Sequence, residues 1–176
     1  QSLGLSYTAL RNVDIVRRVD ALIQRDDVDP TRIASLGSSG GGGSTLFFTA
    51  ADERVAAGLI SSSPPMLPPK LQDGYFRRMF AKAARYTELP ACTAHLTMLI
   101  APRPVWILDG TEDECIAPRD RPEWRRKANK ARAAIAQVYK VAGASHHLRD
   151  TWLEAGHCAG MTVTAVSAWL REALRM

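Results

Sequence analysis

Apolar residues recur every three or four positions through the first segment of the chain. Val13, Val16, Val19, Leu22 and Ile23 alternate with Arg11, Asp14, Arg17, Arg18 and Asp20, a period that predicts a helix with one inward stripe. Asp27, Asp29 and Pro30 then supply turn chemistry after Asp26, where the helix is expected to end. The short apolar run from Arg32 to Leu36 reads as a buried strand. Gly37 to Ser44 reads as a Gly/Ser turn, and Thr45 to Ala51 as a helix packed on its apolar side. Val55 to Ile60 predicts a second strand, with Ser61, Ser62 and Ser63 at its carboxyl end. Pro104 to Leu108 predicts a third, closed by Asp109 and Gly110. A long helix is expected from Pro122 to Ala142, inward at Trp124, Ala128, Ala131, Ile135, Val138, Tyr139 and Ala142. Leu148 to Leu153 reads as a fourth strand. A last helix is expected from about Met161, with Val163, Val166, Trp169, Leu170 and Leu174 inward. Strands that alternate with helices predict an α/β fold, a mostly parallel sheet covered by helices. Such sheets bind ligands at the carboxyl ends of their strands.

The stretch from Pro64 to Pro90 breaks this alternation. Pro64, Pro65, Pro68 and Pro69 stand together, and Tyr75, Phe76, Met79 and Phe80 follow on one side of a mixed helix. This is the pattern of a cap or insertion (64–90) within a single domain spanning 1–176. The aromatic side of that helix is expected to pack the cap, with lining of a substrate pocket as the alternative.

Composition excludes several classes. The chain has 176 residues, 46% hydrophobic and 23% charged, which suits a globular domain with a real core. No apolar run approaches the ~18 residues of a membrane span, and no secretory signal is visible. The formal charge is +5. Its densest basic cluster, Arg119, Arg121, Arg125, Arg126, Lys127, Lys130 and Arg132, falls on the predicted long helix and reads as a solvated face. No nucleic-acid-binding motif accompanies it, and no nucleic-acid partner is expected. Three cysteines, Cys92, Cys115 and Cys158, make no disulfide framework and contain no C-x-x-C pair. A structural zinc site is not expected. A reduced, cytoplasmic setting is weakly favoured.

The chemistry concentrates at Gly37-Ser38-Ser39-Gly40-Gly41, a G-x-S-x-G run between a predicted strand and a predicted helix. In that setting the central serine sits on a sharp, strained turn that exposes its hydroxyl. The small residues two places to either side, Gly37 and Gly41, let strand and helix approach. The N-terminus of the following helix offers N–H groups and a positive dipole end to a developing oxyanion, with the Gly40 N–H as one donor. A flexible Gly/Ser linker is disfavoured by the buried-type segments on both sides. A phosphate cradle is disfavoured by the lack of a P-loop lysine or a G-x-G-x-x-G pattern. Among the four histidines, His146 and His147 would follow the last strand if Gln137 to Val141 were that strand. The helical period through Ala142 favours Leu148 to Leu153 instead, with Gly156-His157 in the loop after it. His95 reads as structural or pocket-lining.

On these residues the chain resembles the α/β-hydrolase superfamily, in its dienelactone-hydrolase and acetyl-xylan-esterase-like branch. The likeness rests on DVDPTRIASLGSSGGGGSTLFFTAADERVAAGLISSS, IAPRPVWILDGTEDECIAP and YKVAGASHHLRDTWLEAGHCAG. The resemblance implies an acid in a G-x-x-D turn after the seventh strand of that fold, here Gly110 to Asp113. Asp113 is its choice, with Glu112, Asp109 and Asp120 as alternatives. It also implies a Gly-His pair between the last strand and the last helix, which favours His157 over His146 and His147. The implied triad is Ser39, Asp113 and His157, acting on a small-molecule carboxylic ester through an acyl-enzyme, with no cofactor and no metal. Dienelactone hydrolases use a cysteine nucleophile. Serine at position 39 shifts the expectation towards ester hydrolysis. A peptidase of the same fold and a degenerate, non-catalytic or small-ligand-binding domain stand as alternatives. The four strands correspond to the fifth to eighth of the family. The expectation is therefore a chain without the N-terminal strands and without the loop that supplies the second oxyanion donor, which would leave the strand around Ile33 as a hydrophobic edge.

Overall fold

The computed structural model describes residues 7–64, 93–115 and 123–175. Helix α1 (Tyr7–Leu22) precedes strand β1 (Ile33–Ser38), helix α2 (Gly40–Ala51) and strand β2 (Val55–Ser61). The short helix α3 (Thr93–Met98), strand β3 (Val105–Gly110) and helix α4 (Glu123–Val141) follow. A single 3₁₀ turn (Ser145–His147), strand β4 (Leu148–Leu153) and helix α5 (Val163–Ala173) complete the order. Most of the predicted cap, 64–90, lies outside the described residues.

The four strands form one sheet in the order β1-β2-β3-β4, and every pairing is parallel. Parallel neighbours need a crossover, and helices supply it. Alternate residues divide the core. Ile60, Val105 and Ile107 face α2, α3 and α4, where Leu46, Ala131, Ile135 and Tyr139 close a fully buried cluster. Ala57, Leu59, Trp106 and Leu108 face the other way and pack against Trp169 of α5. On the first face, Val19 of α1 extends the core over Ile33, Phe48 and Val55. The result is a sheet with helices on both sides.

Several expectations are corrected. The glycines from Gly40 to Gly43 belong to α2 rather than to a loop. Four glycines in a helix cost about 3–4 kcal/mol relative to alanine. Burial of Leu46 and Phe48 returns about 1.5–3 kcal/mol each, so packing decides the helix against local propensity. Strand β3 runs on through Asp109 and Gly110, which the sequence placed in the closing turn. Val163 begins α5 and is exposed, as are Val13 and Leu22 of α1. Ala142 lies just past the last turn of α4 and is exposed too. Each sits at an end or rim of its apolar stripe. Arg132 departs furthest: the sequence placed it on a solvated face, yet it is buried.

Candidate active site

Register brings the four strand ends level. Ser38 pairs with Ser61, Ser61 with Leu108, and Leu108 with Thr151. The segments that leave those ends, Ser39 after β1, Ser62 after β2, Thr111 to Cys115 after β3 and Glu154 to Gly160 after β4, therefore emerge on one edge of the sheet.

Ser39 occupies the single residue between β1 and α2, with φ 54 and ψ −121. A serine in this region stores about 1–3 kcal/mol of backbone strain. Two backbone bonds impose it: Ser39 N–H donates to the Ser61 carbonyl at 3.0 Å, and Gly43 N–H donates to the Ser39 carbonyl at 3.0 Å. Close approach of β1 to α2 requires Gly37, where a Cβ would run into the Gly41 carbonyl. Close approach of α2 to the end of β2 requires Gly42, where a Cβ would strike the Ser61 carbonyl and the Ser63 side chain. At Gly40 and Gly41 a Cβ would meet open space. The second tight position is thus Gly42, one residue beyond the predicted Gly41. A helix leaves its first N–H groups without intrahelical partners, and the Gly40 N–H stands in that position.

Asp113 and His157 meet across 44 residues of chain. His157 Nδ1 lies 2.7 Å from Asp113 Oδ2, and the other carboxylate oxygen accepts the Cys115 N–H at 3.0 Å. Asp113 is fully buried and the His157 side chain is 28% exposed, so the imidazole bridges a dry acid and the solvent-facing edge. Glu112 is exposed, and Asp120 lies outside the described residues. Among the described residues neither the Ser39 hydroxyl nor His157 Nε2 has a hydrogen-bond partner. The link between the two sides runs through β2. Ser61 holds the Ser39 N–H, and its neighbour Ser62 accepts the Cys158 N–H through Oγ at 2.9 Å. Ser62 is itself buried and has φ 47.

Asp109 and His147 are engaged elsewhere. Asp109, fully buried in β3, takes Arg132 Nη2 at 2.5 Å and the Ser63 N–H at 3.1 Å. Arg132 Nη1 binds Asp150 of β4, and the guanidinium lies 4.0 Å over the Trp152 ring. Burial pushes the Asp109 carboxyl up to about 6, against the opposing pull of Arg132. Burial also raises Asp150. His147 Nδ1 lies 2.6 Å from the Pro102 carbonyl in the 3₁₀ turn, and His95 is half-buried in α3. Sequence reasoning missed the Arg132 network and the role of Ser62. The first had a signal, because 132 falls on the same helical stripe as 128, 131 and 135. Ser62 was noted only as one of three serines at a strand end.

Parallel strands, flanking helices and a strained serine between strand and helix define the α/β-hydrolase fold, and the chain has that fold. No family model and no curated protein sequence matches it. Solved structures do. It superposes on the methylesterase BT1017 with a TM-score of 0.72 and 22% identity, over 97% of this chain and 36% of that one. It superposes on a carbohydrate esterase family 15 glucuronoyl esterase from Caldicellulosiruptor kristjansonii with a TM-score of 0.73, 18% identity and coverage of 98% and 51%. The catalytic domain of the glucuronoyl esterase from Hypocrea jecorina gives 0.72, 17%, 98% and 53%. The chain thus spans between about a third and about half the length of these neighbours.

Proposed function

We propose that the protein is a serine-dependent hydrolase of small carboxylic esters, with Ser39 as nucleophile, His157 as general base and acid, and Asp113 as the group that orients it. The observation that carries this reading is the contact of half-buried His157 with buried Asp113, which emerges at the same strand ends as a serine held at φ 54. Loose catalytic contacts before substrate binds are ordinary for such sites.

In this mechanism the Ser39 hydroxyl adds to the ester carbonyl carbon while its proton passes to His157 Nε2. The Asp113 carboxylate accepts the Nδ1–H, fixing the tautomer and stabilising the imidazolium. The carbonyl oxygen gains charge beside the Gly40 N–H and the positive end of α2. Collapse expels the alcohol, which takes the proton back from Nε2 and leaves an acyl group on Ser39. Water then repeats the sequence and frees the acid. Several of the structural neighbours are glucuronoyl esterases and one is a methylesterase. Methyl and glucuronoyl esters are therefore the substrates to offer beside a simple acetate ester.

A fluorophosphonate probe tests the proposal. The protein should be labelled on Ser39, and Ser39→Ala should abolish both labelling and ester turnover. Asp113→Asn should lower turnover by about 10⁴, the scale set by loss of the orienting acid. Cleavage of peptides but not esters would favour a peptidase. Absence of any labelling would favour a non-catalytic ligand-binding domain.

A further inference from the structure

Asp113, Cys115 and His157 have a capacity that the hydrolytic reading leaves unused. Each offers one donor atom, and the carboxylate oxygen, thiol sulfur and imidazole nitrogen all lie within 4.8 Å of one another. Among the described residues no other group of three or more His, Cys, Asp or Glu donors is close enough to hold a metal ion. The three differ in chemistry, unlike a chance cluster of surface acids. Asp113 is buried, His157 is half-buried, and Cys115 is exposed with a free thiol. The group thus has a buried inner donor and a solvent-facing outer one.

We propose that these three side chains form a binding site for a thiolate-preferring divalent cation, with Zn²⁺ as the representative ion. The donor set carries the argument. Thiolate, imidazole and carboxylate together suit Zn²⁺ and disfavour Mg²⁺ or Ca²⁺, which take all-oxygen sites. Zinc bonds of about 2.0–2.3 Å place tetrahedral donors about 3.3–3.8 Å apart. The exposed Cys115 side chain has the freedom to close the difference from the observed separation. Solvent at the exposed outer side supplies the fourth ligand. Binding releases one proton to solvent: the Cys115 thiol loses H⁺ to water as the Zn–S bond forms, while the imidazole proton passes from Nδ1 to Nε2 so that Nδ1 can ligate, and no electron moves. Affinity therefore rises with pH.

Occupation has a functional consequence that rests on the proposed triad. A cation held by His157 and Asp113 takes away the imidazole and the carboxylate that ester cleavage uses. The ion would act as a reversible inhibitor, and a chelator would restore activity. Cys115 is the specific element, because the other two donors belong to the triad whether or not a metal binds.

Calorimetric titration with ZnCl₂, repeated with Co²⁺ while the thiolate-to-cobalt absorption is followed, tests the site without reference to catalysis. One equivalent should bind, with a thiolate–cobalt band. Cys115→Ser removes the thiolate and should lose the band. It should also weaken zinc binding by more than about 100-fold, since loss of a direct ligand exceeds the 10–100-fold typical of outer-shell partners. Cys158→Ser, the control, should bind as the parent does. Binding with the thiolate band in a protein that cleaves no ester would uphold the metal site and refute the triad. Absence of stoichiometric binding, or binding and band unchanged in Cys115→Ser, would overturn the proposal. So would ester turnover that continues unchanged in the zinc-saturated protein.

Discussion

Ser39 carries a backbone conformation that its side chain disfavours. At φ 54 and ψ −121 glycine would sit without the Cβ penalty. The strain persists because Ser61 and Gly43 hold the peptide on both sides, and it lifts the hydroxyl clear of β1. Stability and chemistry should therefore separate at this position. Ser39→Gly should raise stability by about 1 kcal/mol, or about 2–4 °C in Tm for a chain of this size, while ester turnover disappears. Ser39→Ala should lose turnover with no such gain. Thermal unfolding of both variants checks the pair, and a lower Tm for the glycine variant would show that the strain is not stored there.

At the scale of elements, the join between β1 and α2 depends on which glycines touch their neighbours. Gly42 is pressed on the Ser61 carbonyl, whereas Gly41 faces open space. Gly42→Ala forces helix and strand apart and should cost about 1–3 kcal/mol, the range for overpacking a tight site. Gly41→Ala meets nothing and should gain up to about 1 kcal/mol from helix propensity. Urea denaturation of the two variants should move the midpoint in opposite directions. The G-x-S-x-G spacing showed that a tight turn stood here. It pointed to position 41 as the close contact, because spacing along the chain does not reveal which face of the new helix turns towards β2.

Among the described residues, one buried cation ties α4 to β3 and β4. Arg132 of α4 reaches Asp109 in β3 and Asp150 in β4 while lying over Trp152. Removing one partner of a buried pair costs about 3–5 kcal/mol because the other charge is left uncompensated. Asp109 ionises at a higher pH in the folded chain, about 6, than its ordinary value of 3.8. Between about pH 4 and 6 the folded state therefore holds more of this proton than the unfolded one. Asp109's contribution to stability falls as pH rises through that window. Arg132→Met removes the opposing pull and moves the window upward. Its destabilisation should be largest near pH 8 and shrink towards pH 5, where the orphaned carboxyl takes up a proton. Denaturation curves at the two pH values test this, and an equal deficit at both would rule out a buried charge as the cause. Among the described residues β1 hydrogen-bonds to β2 alone, and Leu36 is 37% exposed. No described helix is long and apolar enough to cross a membrane.

The sequence by itself determined the alternation of strands and helices, the span of β4, the position of the serine turn and the loop that bears His157, whereas Asp113 was implied by a family resemblance. Those features are written in local periods and turn residues, which depend on neighbours a few positions apart. Tertiary structure alone decided that Arg132 turns inward, that Gly42 is the tight glycine, and that Ser62 bridges to the loop of His157. It also decided that Asp113, Cys115 and His157 share one corner. These are meetings between segments distant in sequence, set by the register of four parallel strands and the faces their helices present. No local period encodes them.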